Sequence, residues 1–146
     1  MKRHESLAPL SREHHSALIL AQLIKRNAPL YKGLPETITD KVVYAIQFFK
    51  TELKNHFKKE EAMLKKVKAI DPAIAVLADE IVAEHQLLTK LFLSLKDDSD
   101  AEAVLNEIGN ELQAHIRKEE RVLFPLLQKV CTEEILLQLT PLLAKN

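Results

Sequence analysis

Two stretches of this chain nearly repeat each other, and each fixes a histidine and a glutamate four residues apart in a strongly helical run. Glu52-Leu-Lys-Asn-His56-Phe-Lys-Lys-Glu60-Glu61-Ala-Met-Leu64 is matched by Glu111-Leu-Gln-Ala-His115-Ile-Arg-Lys-Glu119-Glu120-Arg-Val-Leu123. Four residues are a little over one α-helical turn, so His56 shares a face with Glu60, and His115 with Glu119. An imidazole and a carboxylate on one face, twice, form a donor set able to hold metal between helices, provided those faces point inward.

The 146 residues suffice for one domain, read as residues 1–146. Two glycines, no tryptophan and abundant Leu, Ala, Glu and Lys predict an all-α protein. Lys plus Arg and Asp plus Glu balance at 21 each. No basic excess exists to neutralise phosphates, and nucleic acid is not an expected partner. Cys131 is the one cysteine and has no internal disulfide partner, which fits a reducing cytoplasm. The start, Met1-Lys-Arg-His-Glu-Ser, has no apolar signal core, and no apolar run reaches membrane length. A cytoplasmic location with no membrane partner is expected.

The first helix is predicted from Ser11, or from Pro9, to about Arg26, with Pro29, Gly33 and Pro35 breaking the pattern after it. The second runs from about Glu36 to Lys68, closed by Asp71-Pro72, and the third from Pro72 to about Leu95. Lys96 to Asp100 forms a polar turn, in which Ser99 and Glu102 have capping-box spacing. The fourth spans Ala101 to Val130. Thr132 can cap a short C-terminal helix from Glu133 to Leu143, interrupted by Pro141. The Leu-rich faces of that last segment suit either packing along the other helices or a dimer contact, and the oligomeric state stays open.

Apolar residues at alternating steps of three and four mark the packed face of a helix. In the second helix that series is Val42, Ile46, Phe49, Leu53, His56, Glu60, Met63, Val67. In the third it is Ile74, Ala78, Ile81, His85, Leu88, Phe92, Leu95, and in the fourth Leu105, Ile108, Leu112, His115, Glu119, Val122, Leu126. Each seam is apolar except at its His and Glu. In the first helix the series through His14 (Leu10, Ala17, Ala21, Ile24, Ala28) is apolar throughout, whereas every series through His15 meets Gln22. That favours His14 as the inward residue and leaves His15 at the edge of the seam.

Four inward histidines and two inward glutamates would be costly to bury without partners. A metal centre inside a four-helix bundle removes that cost, with His14, His56, Glu60, His85, His115 and Glu119 as candidate ligands. A metal-free polar core with every group satisfied is the competing reading. Glu61 and Glu120 lie about 140° from their histidines on an ideal helix and point to solvent or to the ring nitrogens that face away from the metal. Glu52 and Glu111 could accept from those nitrogens, with surface placement the plainer expectation. Phe49, Phe57, Phe92 and Phe124 read as core, one or two of them walling the centre. Cys131 reads as a small buried hydrophobe. His4, near the terminus, is given no role.

These residues resemble the hemerythrin-like, or HHE cation-binding, family. The resemblance lies in a His in the first helix, His-x-x-x-Glu in the second, a His in the third and His-x-x-x-Glu in the fourth. The run from His115 through Phe124-Pro125 is similar to the family's fourth helix. It implies an up-down-up-down four-helix bundle, here with a short extra C-terminal helix, holding two non-haem irons. It further implies that His14, His56, His85 and His115 are terminal ligands, that Glu60 and Glu119 bridge the irons, and that an oxo or hydroxo oxygen from solvent adds a third bridge. The ligand types alone also admit manganese or zinc.

The chain departs from the oxygen-carrying members, which have two histidines one turn apart on the third helix. Here Ile81 and Thr89 flank His85, and the inward carboxylate follows the last His by four residues rather than five. A four-His, two-Glu set looks closer to relatives that repair iron–sulfur clusters or sense iron, although the cysteine-bearing region of the former is not seen. The expected function is a module that binds or senses O2, a related small molecule such as NO or peroxide, or iron status. The alternative is a di-iron redox enzyme acting on peroxide or NO, or in iron-centre repair. Ile81, Leu88, Phe92, Leu53, Leu112 and Val122 are expected to wall the centre.

Overall fold

The computed structural model describes residues 2–144 and contains, among them, five helices and no strand. Helix α1 is Ala8–Leu23. Helix α2 (residues 38–67) joins Ile38–Phe48 to Lys54–Val67 through a π-helical turn, Phe49–Leu53. Helix α3 is Pro72–Ser94. Helix α4 (residues 101–130) joins Ala101–Lys118 to Phe124–Val130 through a second π-turn, Glu119–Leu123. Helix α5 is Glu133–Leu143. No helix is long and apolar enough to cross a membrane among the described residues.

The ends follow local chemistry. Pro9 sits in the first turn of α1, where its missing N–H has no helical acceptor to lose. The helix stops before the expected Arg26, because the Arg26 N–H donates to Asn106 Oδ1 (2.9 Å) and Asn27 takes a left-handed φ of 59°. The Thr37, Asp71 and Thr132 side chains cap α2, α3 and α5 by accepting from the N–H groups of Asp40, Ala73 and Ile135. The expected Ser99/Glu102 box does not form. Asp98 Oδ1 takes the Asp100 N–H (2.9 Å), and Asp100 starts α4 without a side-chain cap.

Two apolar clusters fill the interior. One gathers Ala17, Leu20, Leu53, Phe57, Leu88, Phe92, Leu112 and Ile116 with their neighbours. The other gathers Leu7, Leu10, Met63, Ile81, Leu123, Phe124 and Leu127, and α5 closes it with Leu136, Leu139 and Leu143. Cys131 is buried in this second cluster, as expected. The inward histidines and glutamates lie in sequence between residues of the two clusters, on all four longer helices.

The π-turns correct two seam assignments. A π-turn spends an extra residue per turn, so the inward face beyond it moves along by one. In α4 the buried series after Glu119 continues through Leu123 and Leu127, not Val122 and Leu126. Val122 is 48% exposed and walls nothing. In α2, Ala45 rather than Ile46 is fully buried upstream of the turn.

Gly109 is where α4 meets α1. A Cβ placed there would lie 2.7 Å from the Ala21 carbonyl oxygen and 2.9 Å from Lys25 Cγ. The lysine can move, but the carbonyl belongs to a helix. Gly109→Ala is therefore expected to destabilise the protein by about 1–3 kcal/mol despite alanine's better helix propensity. A denaturant midpoint equal to or above wild type would show that the helices separate freely there.

Candidate metal centre

The layer between the two clusters contains His14 from α1, His56 and Glu60 from α2, His85 from α3, and His115 and Glu119 from α4, each at most 4% exposed. His15, one residue from His14, is exposed. The series without Gln22 thus picked the inward residue.

The rings come in two pairs. His14 faces His56 and His85 faces His115, with centroids 4.8 Å apart in each pair. Glu60 reaches both pairs, one oxygen to each. Its Oε2 lies 3.2 Å from His14 Nε2 and 3.0 Å from His56 Nε2, and its Oε1 lies 2.9 Å from His85 Nε2 and 3.8 Å from His115 Nε2. Glu119 Oε1 stands 3.1 Å from both His14 Nε2 and His115 Nε2. Two four-residue groups of potential ligand atoms result, each within 4.8 Å: His14, His56, Glu60, Glu119 and Glu60, His85, His115, Glu119. Both glutamates belong to both groups.

The far nitrogen of every ring is held by a carboxylate from a neighbouring helix. Glu13 of α1 accepts from His56 Nδ1 (2.8 Å), and Glu61 of α2 from His85 Nδ1 (2.8 Å). Glu84 of α3 accepts from His115 Nδ1 (2.7 Å), and Glu120 of α4 from His14 Nδ1 (2.6 Å). The four bonds form a closed circuit, each helix gripping the histidine of the next. An ionised carboxylate only accepts, so each Nδ1 carries the proton, and in the neutral ring each Nε2 offers a lone pair to the interior. Lys59 binds Glu13 (2.7 Å) and Lys118 binds Glu84, each lysine standing just before an inward glutamate.

Of the two placements the sequence leaves open for Glu61 and Glu120, solvent or an outward ring nitrogen, the structure shows the second, on His85 and His14; Glu13 and Glu84 are not foreseen. Glu52 and Glu111 do not take those places. The signal was present: Glu13 and Glu84 immediately precede His14 and His85. Adjacent helical residues point about 100° apart, so each glutamate is aimed at the helix next door. Phe57 stacks on His85 (4.1 Å, 16°) and Phe124 on His14 (5.7 Å, 10°), while Phe49 and Phe92 stack on each other in the first cluster. His4 is not loose: its ring bonds Ser6 and Glu133.

Several buried donor-set atoms make no aligned hydrogen bond, namely His56 Nε2, His115 Nε2 and both Glu119 oxygens, although His56 Nε2, His115 Nε2 and Glu119 Oε1 have opposite-type atoms at 3.0–3.1 Å. Such atoms are costly in a metal-free core and natural in a metal site, so the residues fit divalent cations. Without metal the layer holds its charge as protons. Burial pushes the His56 imidazole down, but the charge of Glu60 and contacts with Glu13 outweigh it, and the ring titrates at about 9. His14 and His115 are likewise raised against burial, by their carboxylates. Glu60 is fully buried, which pushes its carboxyl up, yet the surrounding imidazoles hold it well below its usual range.

The family model of the hemerythrin HHE cation-binding domain matches residues 5–127, which include all six inward residues and all four outer carboxylates. No curated protein and no solved structure matches the chain.

These shifts give the metal-free protein a pH dependence. Raised histidines stabilise the fold fully below about 6.5, and that stability is lost as pH rises through about 9. The His56 ring alone accounts for roughly 3 kcal/mol of it. The depressed Glu60 contributes above 4.5 and fades in acid. Chelator-treated protein should thus melt highest between pH 4.5 and 6.5 and progressively lower towards pH 9. A melting temperature that stays flat from pH 6 to 9 would mean the imidazoles are neutral in the apo fold.

Proposed function

The chain belongs to the hemerythrin HHE cation-binding domain family, and on that premise we propose that its centre binds two iron ions and serves to bind or sense O2, a related small molecule such as NO, or iron status. The observation that carries this reading is the pair of donor groups sharing Glu60 and Glu119. In it, His14 and His56 ligate one metal, His85 and His115 the other, and the two glutamates bridge. Glu60 supports the assignment by presenting a different oxygen to each histidine pair. The residues form one domain, with α1 to α4 as an up-down-up-down bundle. In support, the residues flanking each histidine pass from the second apolar cluster to the first in α1 and α3, and back in α2 and α4.

Bound iron supplies a redox-active Lewis acid with mixed imidazole and carboxylate ligation. The protein supplies orientation and exclusion. Glu13, Glu61, Glu84 and Glu120 keep Nδ1 protonated and turn Nε2 inward. The apolar clusters and the rings of Phe57 and Phe124 wall the layer with apolar surface, which favours small neutral solutes over charged ones. Binding is favoured over turnover because, among the described residues, every buried His and Glu is already in the donor set. The balanced charge and lone Cys131 fit a cytoplasmic protein without a nucleic-acid partner.

One feature favours a second reading, a di-iron redox enzyme acting on peroxide or NO, or in iron-centre repair. A groove of about 610 Å³ between α1 and the middle of α2 has Leu53, His56 and Glu13 in its wall. It brings solutes larger than a diatomic to the edge of the layer.

Freshly purified protein should contain two iron ions per chain, manganese or zinc being the other metals the ligands admit. Glu60→Ala or Glu119→Ala should lose more than one metal, because a bridge serves both. Either variant retaining two metals removes the bridging assignment. Anaerobic ferrous protein should gain a visible absorption band with O2 that fades on degassing. Steady consumption of peroxide or NO with a reductant, abolished in His56→Ala, would instead select the enzyme.

A further inference from the structure

Arg3 lies outside the residues matched to the family, yet its guanidinium reaches the wall of the centre. Its Nη2 donates to the backbone carbonyl of Glu120 (2.9 Å) and to Glu120 Oε1 (3.1 Å), and its Nη1 to Gln128 Oε1 (3.3 Å). Its Cζ stands 5.2 Å over the ring of Phe124, the ring that stacks on His14.

The Glu120 carbonyl needs such a donor. In the π-turn Glu119–Leu123 the Phe124 N–H bonds the Glu119 carbonyl, five residues back. The N–H next in line for Glu120 would come from residue 125, which is proline and has none. Arg3 fills the gap. Its other bond, with those from Ser11 Oγ (2.8 Å) and His14 Nδ1 (2.6 Å), fixes the Glu120 carboxylate from three sides. The neighbouring residues hold the arm in place. Gln128 accepts from the His4 N–H and donates to the Lys2 carbonyl, and His4 pairs with Glu133.

The repeat supplies an internal comparison. Glu61 occupies in α2 the place Glu120 occupies in α4 and holds His85 as Glu120 holds His14. Among the described residues, no cation pairs with Glu61, whose side chain is 44% exposed. The two halves of the centre thus differ in what steadies the outer carboxylate.

We propose that Arg3 is a positioning residue for the His14 half of the centre, fixing both the π-turn and the Glu120 carboxylate that aims His14 Nε2 at Glu60 and Glu119. The proposal rests on the two-metal reading above. Cobalt(II) titration followed by visible absorption tests it, since the bands report ligand geometry. Wild type should take up two cobalt ions. Arg3→Ala should bind the first normally and the second ten- to a hundredfold more weakly, with altered bands for one site only. Glu120→Gln should act in the same direction. Arg3→Lys keeps the charge but has one nitrogen where the guanidinium uses two, loses the bond to Gln128 and the flat face over Phe124, and should recover only part of the loss.

Arg3→Ala with two wild-type affinities and wild-type bands overturns the proposal. So does equal weakening of both sites accompanied by a lower melting temperature in chelator, the mark of a merely structural arm. Wild-type protein that takes up fewer than two cobalt ions overturns the two-metal reading itself.

Discussion

The bond between an imidazole Nδ1–H and a carboxylate on the adjacent helix, made four times, is the constraint on which this structure depends. Each such bond fixes a tautomer and a ring plane, and so decides which nitrogen looks inward. Because donor and acceptor always sit on different helices, the same bonds also set the helices at one level. A slip of α1 along α2 breaks Glu13 from His56, and a slip along α4 breaks Glu120 from His14. Packing alone tolerates small shifts more readily than a charge-assisted hydrogen bond of 2.6–2.8 Å does.

That circuit explains how a polar layer can exist between two apolar clusters. Isolated carboxylates such as Glu60 and Glu119, neither exposed at all, cost several kcal/mol each to bury. The cost is offset without metal by protonated imidazoles, and with metal by the cations. The layer is therefore a site where protons and metal compete for the same lone pairs, and cation uptake must release protons. Lys59 and Lys118 join this balance from outside. Each neutralises an outer glutamate that faces a histidine destined to become neutral.

Much of this was legible in the sequence, for a physical reason. Burying a histidine or glutamate among leucines leaves a visible break in an apolar seam, and the seams through His14, His56, His85 and His115 show it. Gln22 was enough to separate His14 from His15. Seams assume a constant period, however, and a π-turn changes it. Val122 was assigned inward and lies at the surface for that reason alone, with Leu123 in its place. Pro125 was the available clue, since a residue without an N–H forces the helix to find another pattern nearby. Glu13 and Glu84 escaped notice because seams describe one helix at a time, and their partners are on others. His4 escaped because the N-terminal arm has no periodicity. Its order comes from Gln128 and Glu133, more than a hundred residues away.

The near-repeat in the sequence suggests two equivalent halves, and the inner layer honours it in part: the paired rings stand at equal separation, and each half gives one glutamate to both groups. The surroundings do not. His85 is stacked under Phe57, which comes from α2 of the same duplicated segment as Glu60, whereas His14 is stacked under Phe124, beyond the π-turn of α4. The counterpart of Phe57 in the second repeat is Ile116, which shares the first apolar cluster with it but has no ring to stack on a histidine. Outside, Glu120 is tied by Arg3 and Ser11, while Glu61 opens to solvent. Donor atoms of the same kind in unequal surroundings differ in basicity and in freedom to move. The inequality reaches inward too, since Glu60 meets all four rings with two oxygens and Glu119 meets His14 and His115 with one, so the repeated motif alone would describe as symmetric a layer that is not.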